Sequence, residues 1–213
     1  MILYQILSRS RRTAAILDVL EAGSGLALAL FLWMHMVFVA TIFFGTETFD
    51  GIAHMLDEYY LSYAGIPPLI AVFFLHFFLA ARKIPFAWRE QRVIWKHAGL
   101  LAHKDTWTWL FQAVSGMAIL ILASIHFWVV LTAWPIESSL SVFRVGRMPQ
   151  FVFYLVLLFL GELHAGVGLY RLAVKWGWPS RKRANLLLEI VSAAFLVLGL
   201  WALLMFRRLG GGG

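Results

Sequence analysis

The sequence predicts an all-α integral membrane bundle of five transmembrane helices, and two observations carry that expectation. First, 62% of the 213 residues are hydrophobic, where a soluble domain carries about half, and the mean hydropathy is +0.80. Second, the apolar residues gather in five long blocks rather than alternating with polar ones, which excludes an ordinary soluble fold. A chain of this length so arranged is one domain, over 1–208, followed by a flexible glycine tail over 209–213 that has nothing to pack. In a soluble protein the net charge of +7 would suggest nucleic acid. Spread over the connections of a membrane protein it reports topology instead, and no nucleic-acid partner is expected.

The first block spans 22–45. The arm before it, ILSRSRRTAAILDVLEAG, carries charge on both sides of a weak apolar stretch, so no cleavable leader is expected. The second block, 66–84, is the shortest, and Pro67-Pro68 at its opening suits a helix's first turn. The remaining blocks, 106–134, 149–172 and 185–206, each hold the roughly 20 residues that carry a helix across about 30 Å of hydrocarbon. Between them, 46–65 and 135–148 are poor in Lys and Arg, while 82–105 and 171–184 are rich in both.

That alternation fixes the orientation. Fourteen basic residues fall on one side, in the N-terminal arm (Arg9, Arg11, Arg12) and in the second and fourth connections. Only Arg144, Arg147, Arg207 and Arg208 fall on the other. The positive-inside rule places the richer side in the cytoplasm, with the N-terminus inside and the C-terminus outside. Trp88, Trp95, Trp107, Trp109, Trp134, Trp176 and Trp178 lie near span ends, where interfacial aromatics belong.

The chain has no cysteine, which excludes disulfides, iron–sulfur ligation and covalent haem attachment. Histidine is left to hold any metal. His54, His97 and His103 fall in connections and read as solvated. His35, His76, His126 and His164 fall one each in the first four spans, where a titratable side chain signals function. At about 1.5 Å per residue, His35 and His126 lie about 14 and 12 Å from the outer ends of their spans. His76 and His164 lie about 9 and 10 Å from the inner boundary on the same rise. Two level pairs result, each able to offer two axial imidazoles to a haem iron between four helices. Zinc would need three or four ligands converging at one depth, and a proton relay would need no pairing.

Two segments, GSGLALALFLWMH and VSGMAILILASIH, share Ser-Gly, nine residues, then His. Eleven residues return to within about 20° of the same helix face, which places Ser24 and Ser115 three turns inward of their histidines, at the inner level. Small residues there leave room for a macrocycle, as do the glycines around His164. Ordinary small-residue helix packing would use the same residues.

The segments LWMHMVFVATIFFG, FFLHFFLAARKIPF, FQAVSGMAILILASIHFW and LVLLFLGELHAGVGLYRLAVKWGW resemble the dihaem cytochrome b subunits of quinol:fumarate reductases, the five-helix membrane anchors related to those of succinate dehydrogenases. The resemblance runs from about residue 16 to 206. It implies two b haems, an inner one ligated by His76 and His164 and an outer one by His35 and His126. It implies propionate contacts at Lys175, Trp109 and Arg144, and menaquinol as electron donor. Electrons would pass to an iron–sulfur subunit and then to a flavoprotein on the cytoplasmic side, in a dimer of heterotrimers in the bacterial cytoplasmic membrane. Glu162 matches a glutamate that carries protons across the membrane in the family. Quinol oxidation requires an acid near the outer haem, for which Glu58 is favoured and Asp57 stands next. The polar pair that enters the family's first span is replaced here by Glu21 and Ala22. A proton-coupled transporter, a purely structural anchor, or a haem b anchor of another respiratory dehydrogenase are the alternatives.

Overall fold

The computed structural model describes residues 11–211 except Phe86, Ala102, His103, Trp178 and Pro179, and it leaves out the side chains of Arg11, Leu101, Lys104 and Asp105. His103, Trp178, Arg9 and the last two glycines therefore lie outside the described residues. The chain forms helices α1 (Arg11–Ala40), α2 (Thr46–Glu58), α3 (Leu61–Ala81), α4 (Trp88–Leu101), α5 (Lys104–Leu131), α6 (Ser138–Gly146), α7 (Met148–Lys175) and α8 (Arg181–Gly210). A 3-10 turn over Thr41–Phe44 extends α1 before Gly45 turns the chain at φ 106°. Among the described residues there is no strand. Helices α1, α3, α5, α7 and α8 are long and apolar enough to cross a membrane. Their outward faces carry exposed Met34, Phe78, Trp128 and Trp201, as lipid-facing helices do.

Helix α1 packs on α3, α5 on α7, and α8 lies along α7 and α1. Close approach of α8 depends on Gly199, where an added Cβ would collide with Met36 of α1 and stand 2.7 Å from Leu158 of α7. At the end of the bundle expected to lie outside, Ile42, Phe49, Val145, Ala202 and Phe206 form a buried cluster joining the 3-10 turn, α2, α6 and α8. The Asp50 carboxylate of α2 accepts hydrogen bonds from the Ser138 backbone N–H and hydroxyl, both 2.6 Å, and so caps the start of α6.

Several boundaries differ from the sequence expectation. Helix α1 is already formed at Arg11, the first described residue, rather than near 22, because its inner turns find partners. Arg82 bonds to Asp18 and the Leu17 carbonyl, and Lys83 lies 2.8 Å from Glu21. Lys175 donates to Asp18 at 2.8 Å, so α1, α3 and α7 are tied at their inner ends. Helix α3 starts at Leu61 and carries Pro67 and Pro68 in its second turn, not at its opening. Past the first four residues each proline removes an i→i−4 hydrogen bond that would have gone to the Tyr63 or Ala64 carbonyl, so the pair weakens this part of the helix ladder. Three connections expected as loops contain α2, α4 and α6. The tail boundary also moves, since α8 runs through Gly210. A Cβ at Gly210 would stand 2.5 Å from the Val142 carbonyl oxygen, so this glycine is packed against α6 rather than free.

Candidate functional site

The inner pair is built by two helix pairs in the same way. The Nδ1 of His76, on α3, lies 3.1 Å from the Ser24 hydroxyl of α1. That of His164, on α7, lies 2.8 Å from the Ser115 hydroxyl of α5. Each serine spends its one proton on its own helix: Ser24 donates to the Glu21 carbonyl at 3.0 Å and Ser115 to the Phe111 carbonyl at 2.6 Å. The serine oxygen can then only accept, so Nδ1 of each histidine carries the hydrogen and Nε2 keeps its lone pair. A second observation gives the same tautomer at His164. The Gln112 side-chain nitrogen donates to the His164 carbonyl at 3.1 Å, which identifies it as a donor, and it also lies 3.1 Å from His164 Nε2. His76 and His164 are near enough that a charge on one is felt by the other.

Glycines let these rings sit against the neighbouring helix. A Cβ at Gly25 would stand 2.9 Å from His76 Cε1, and one at Gly116 would stand 3.2 Å from His164 Cε1. The sequence assigned room at the inner level both to the Ser-Gly units of the first and third spans and to the glycines beside His164, and the latter face elsewhere. Gly161 faces Leu32 of α1 and Gly166 faces Ser192 of α8, while Gly168 faces Gln112. They serve contact between helices and admit Gln112, whereas the room for the imidazoles comes from Gly25 and Gly116.

The outer pair is made differently. His35 of α1 and His126 of α5 have ring centroids 6.0 Å apart. Their planes are inclined at 63°, so the two imidazoles meet edge to face. Phe31 stacks on His35 at 5.7 Å, and Tyr154 of α7 meets His126 edge-on at 5.7 Å. The His126 Nδ1 is buried with no hydrogen-bond partner. Arg144, on α6, lies close enough for its charge to act on both His126 and Tyr154. It also lines a small outer cleft with Glu137, Leu140, Val130 and Ala133. The donor set therefore fits a cofactor held by paired imidazoles at each level. Among the described residues no three histidine or carboxylate side chains gather as a chelate.

Glu162 lies two residues from His164 yet belongs to another interface. Its side chain is 1% exposed, accepts a hydrogen bond from Trp33 Nε1 of α1 at 3.2 Å, and faces Ser192 of α8. Its second carboxylate oxygen, Oε2, is buried. The other expected site residues are spread out. Lys175 is paired with Asp18, and Trp109 is half-buried on α5 one turn before Gln112. On α2, Glu58 has a 66% exposed side chain with its carboxylate 3.9 Å from His54, while Asp57 is more sheltered. Gln112, Trp33 and Ser192 escaped sequence reasoning. Gln112 sits three residues before Ser115, so the expected depth of Ser115 would have exposed it as a third polar group at the inner level.

The sequence pattern of the family described as succinate dehydrogenase/fumarate reductase transmembrane subunit matches residues 88–200. The fumarate reductase cytochrome b subunit of Wolinella succinogenes is 38% identical over 211 residues, 90% of this chain and 81% of that protein. The protein of the same description from Helicobacter pylori is 38% identical over 196 residues, covering 86% and 77%. The succinate dehydrogenase cytochrome b558 subunit of Bacillus subtilis is 24% identical over 204 residues, covering 92% and 95%. With its five apolar helices and paired histidines, the chain belongs to the succinate dehydrogenase/fumarate reductase transmembrane subunit family.

Proposed function

We propose that this chain is the dihaem, quinol-oxidising membrane anchor of a quinol:fumarate reductase, working toward fumarate or in reverse from succinate. The observation that carries the proposal is the serine contact at Nδ1 of each inner histidine, which turns Nε2 of His76 and of His164 into the metal-binding nitrogen once Gln112 gives up its hydrogen bond to His164 Nε2. His35 and His126 hold the outer site, with Arg144 beside them to balance anionic propionate, and Trp109 and Lys175 take the inner propionates. When bound, each b haem supplies a one-electron carrier, so the pair links an outer quinol to the inner surface. Lys175 would exchange Asp18 for propionate, leaving Asp18 with Arg82 and Lys83.

Menaquinol is the proposed donor, and its oxidation releases protons that an acid near the outer level must accept. Asp57 is preferred for that task over Glu58, whose side chain faces out. Glu162, held between α1, α7 and α8 away from the histidine pairs, is the proposed carrier of protons through the membrane. The richly basic side faces the cytoplasm, where an iron–sulfur subunit and a flavoprotein dock, and two such heterotrimers pair in the bacterial cytoplasmic membrane. The test is purification in mild detergent followed by assay with a reduced menaquinone analogue. Copurifying flavoprotein and iron–sulfur subunits with quinol-dependent fumarate reduction support the proposal. A chain that purifies with neither subunit and no haem contradicts it.

A further inference from the structure

We infer that Ser24 and Ser115 are positioning residues that set the redox potential of the inner site and leave the outer site untouched. The inference rests on the dihaem role proposed above. Each serine hydroxyl is already committed as a donor to a carbonyl one turn back on its own helix. That donation leaves the oxygen as an acceptor and polarises it, so it draws more strongly on the Nδ1 hydrogen of the neighbouring imidazole. A ring that donates from Nδ1 is a more basic ligand at Nε2. Greater basicity favours the oxidised, more positively charged iron, so the serines hold the inner potential down.

The geometry makes this a built device rather than an incidental contact. Ser115 is 2% exposed and Ser24 8%, so no bulk water competes for either hydroxyl. Gly25 and Gly116, each next in sequence, let the imidazole lie against the helix that carries its serine. The same Ser-Gly unit occurs once in α1 and once in α5, and each reaches across to the partner helix, α3 or α7. Among the described residues the outer His126 has nothing equivalent, since its Nδ1 is buried without a partner.

The experiment is a redox titration of both haems in the purified complex carrying Ser24→Ala, Ser115→Ala or both. Ferric low-spin electron paramagnetic resonance serves as a readout of axial ligation independent of turnover. Each alanine variant is expected to raise the same one of the two midpoints, by up to about tenfold in the one-electron equilibrium constant, or about 59 mV. The other midpoint stays where it was. Ser24→Thr and Ser115→Thr, which keep the hydroxyl, restore the original value. Loss of one haem in an alanine variant and its retention in the threonine variant supports the same role. Two intact haems whose potentials both move equally, or do not move, overturn the inference and leave the dihaem role standing. Failure of the unmodified chain to carry two paired-imidazole haems removes both.

Discussion

The inner and outer histidine pairs are carried by the same four-helix core but are held by different means. Inside, each imidazole is fixed by a hydroxyl from the facing helix and seated against a glycine. Outside, the rings are held by Phe31, Tyr154 and each other, with no hydrogen bond to the His126 Nδ1. Helices α1 and α5 contribute to both levels, giving a histidine outside and a hydroxyl inside eleven residues earlier. One helix face thus does two jobs because eleven residues bring it back to nearly the same direction. Polar fixation is strict about geometry and aromatic packing tolerates adjustment, so the inner level should be the more sensitive to small changes.

The largest effect that would break this comparison is loss of a ligand. His164→Ala should remove one of two haems from the reduced-minus-oxidised spectrum, and His126→Ala should remove the other. If both variants lose the same haem, the pairing is wrong. A smaller change sharpens the contrast at the inner level alone. Gly25→Ala brings a Cβ to 2.9 Å from His76 Cε1 and should disturb the inner resonance more than Gly116→Ala, where the gap is 3.2 Å. The outer resonance should stay put in both variants.

Smaller again is the tie at the inner ends. The Arg82 side chain is 7% exposed and bonds to Asp18 and the Leu17 carbonyl. Its removal deletes two part-buried, charge-assisted hydrogen bonds, and Arg82→Ala should lower stability by about 1–3 kcal/mol in a thermal melt in detergent. Lys83 and Lys175 retain Asp18 in that variant, which keeps the loss within this range. Least of all, Glu58→Gln should change stability by under about 0.5 kcal/mol, as at most exposed surface sites, and should leave quinol oxidation intact. A large loss of turnover there would reinstate Glu58 over Asp57 as the proton acceptor.

Much of this was legible in the sequence because membrane spans are written in runs of apolar residues. The five spanning helices, the two levels and the inner position of Ser24 and Ser115 follow from hydropathy and helical rise. What the serines do there was not legible, because a Ser-Gly pair supports packing and hydrogen bonding equally well until its neighbours are known. The glycines near His164 misled for the same reason: Gly166 looks like room for a cofactor but meets Ser192 of the fifth spanning helix. The inner start of α1 was hidden because Asp18 and Glu21 read as the end of a span until Arg82, Lys83 and Lys175 come to meet them. Likewise, short amphipathic helices such as α2 are too polar to register as spans, so their order appears only once Asp50 is seen capping α6.

The most direct test of the central claim is haem stoichiometry with ligation state in the purified chain. Quantified haem b per polypeptide, combined with low-spin resonance, should give two non-covalent haems, each with two imidazole ligands. One haem per chain, or two with a ligand other than histidine, would contradict the two-level arrangement of His35 with His126 and His76 with His164.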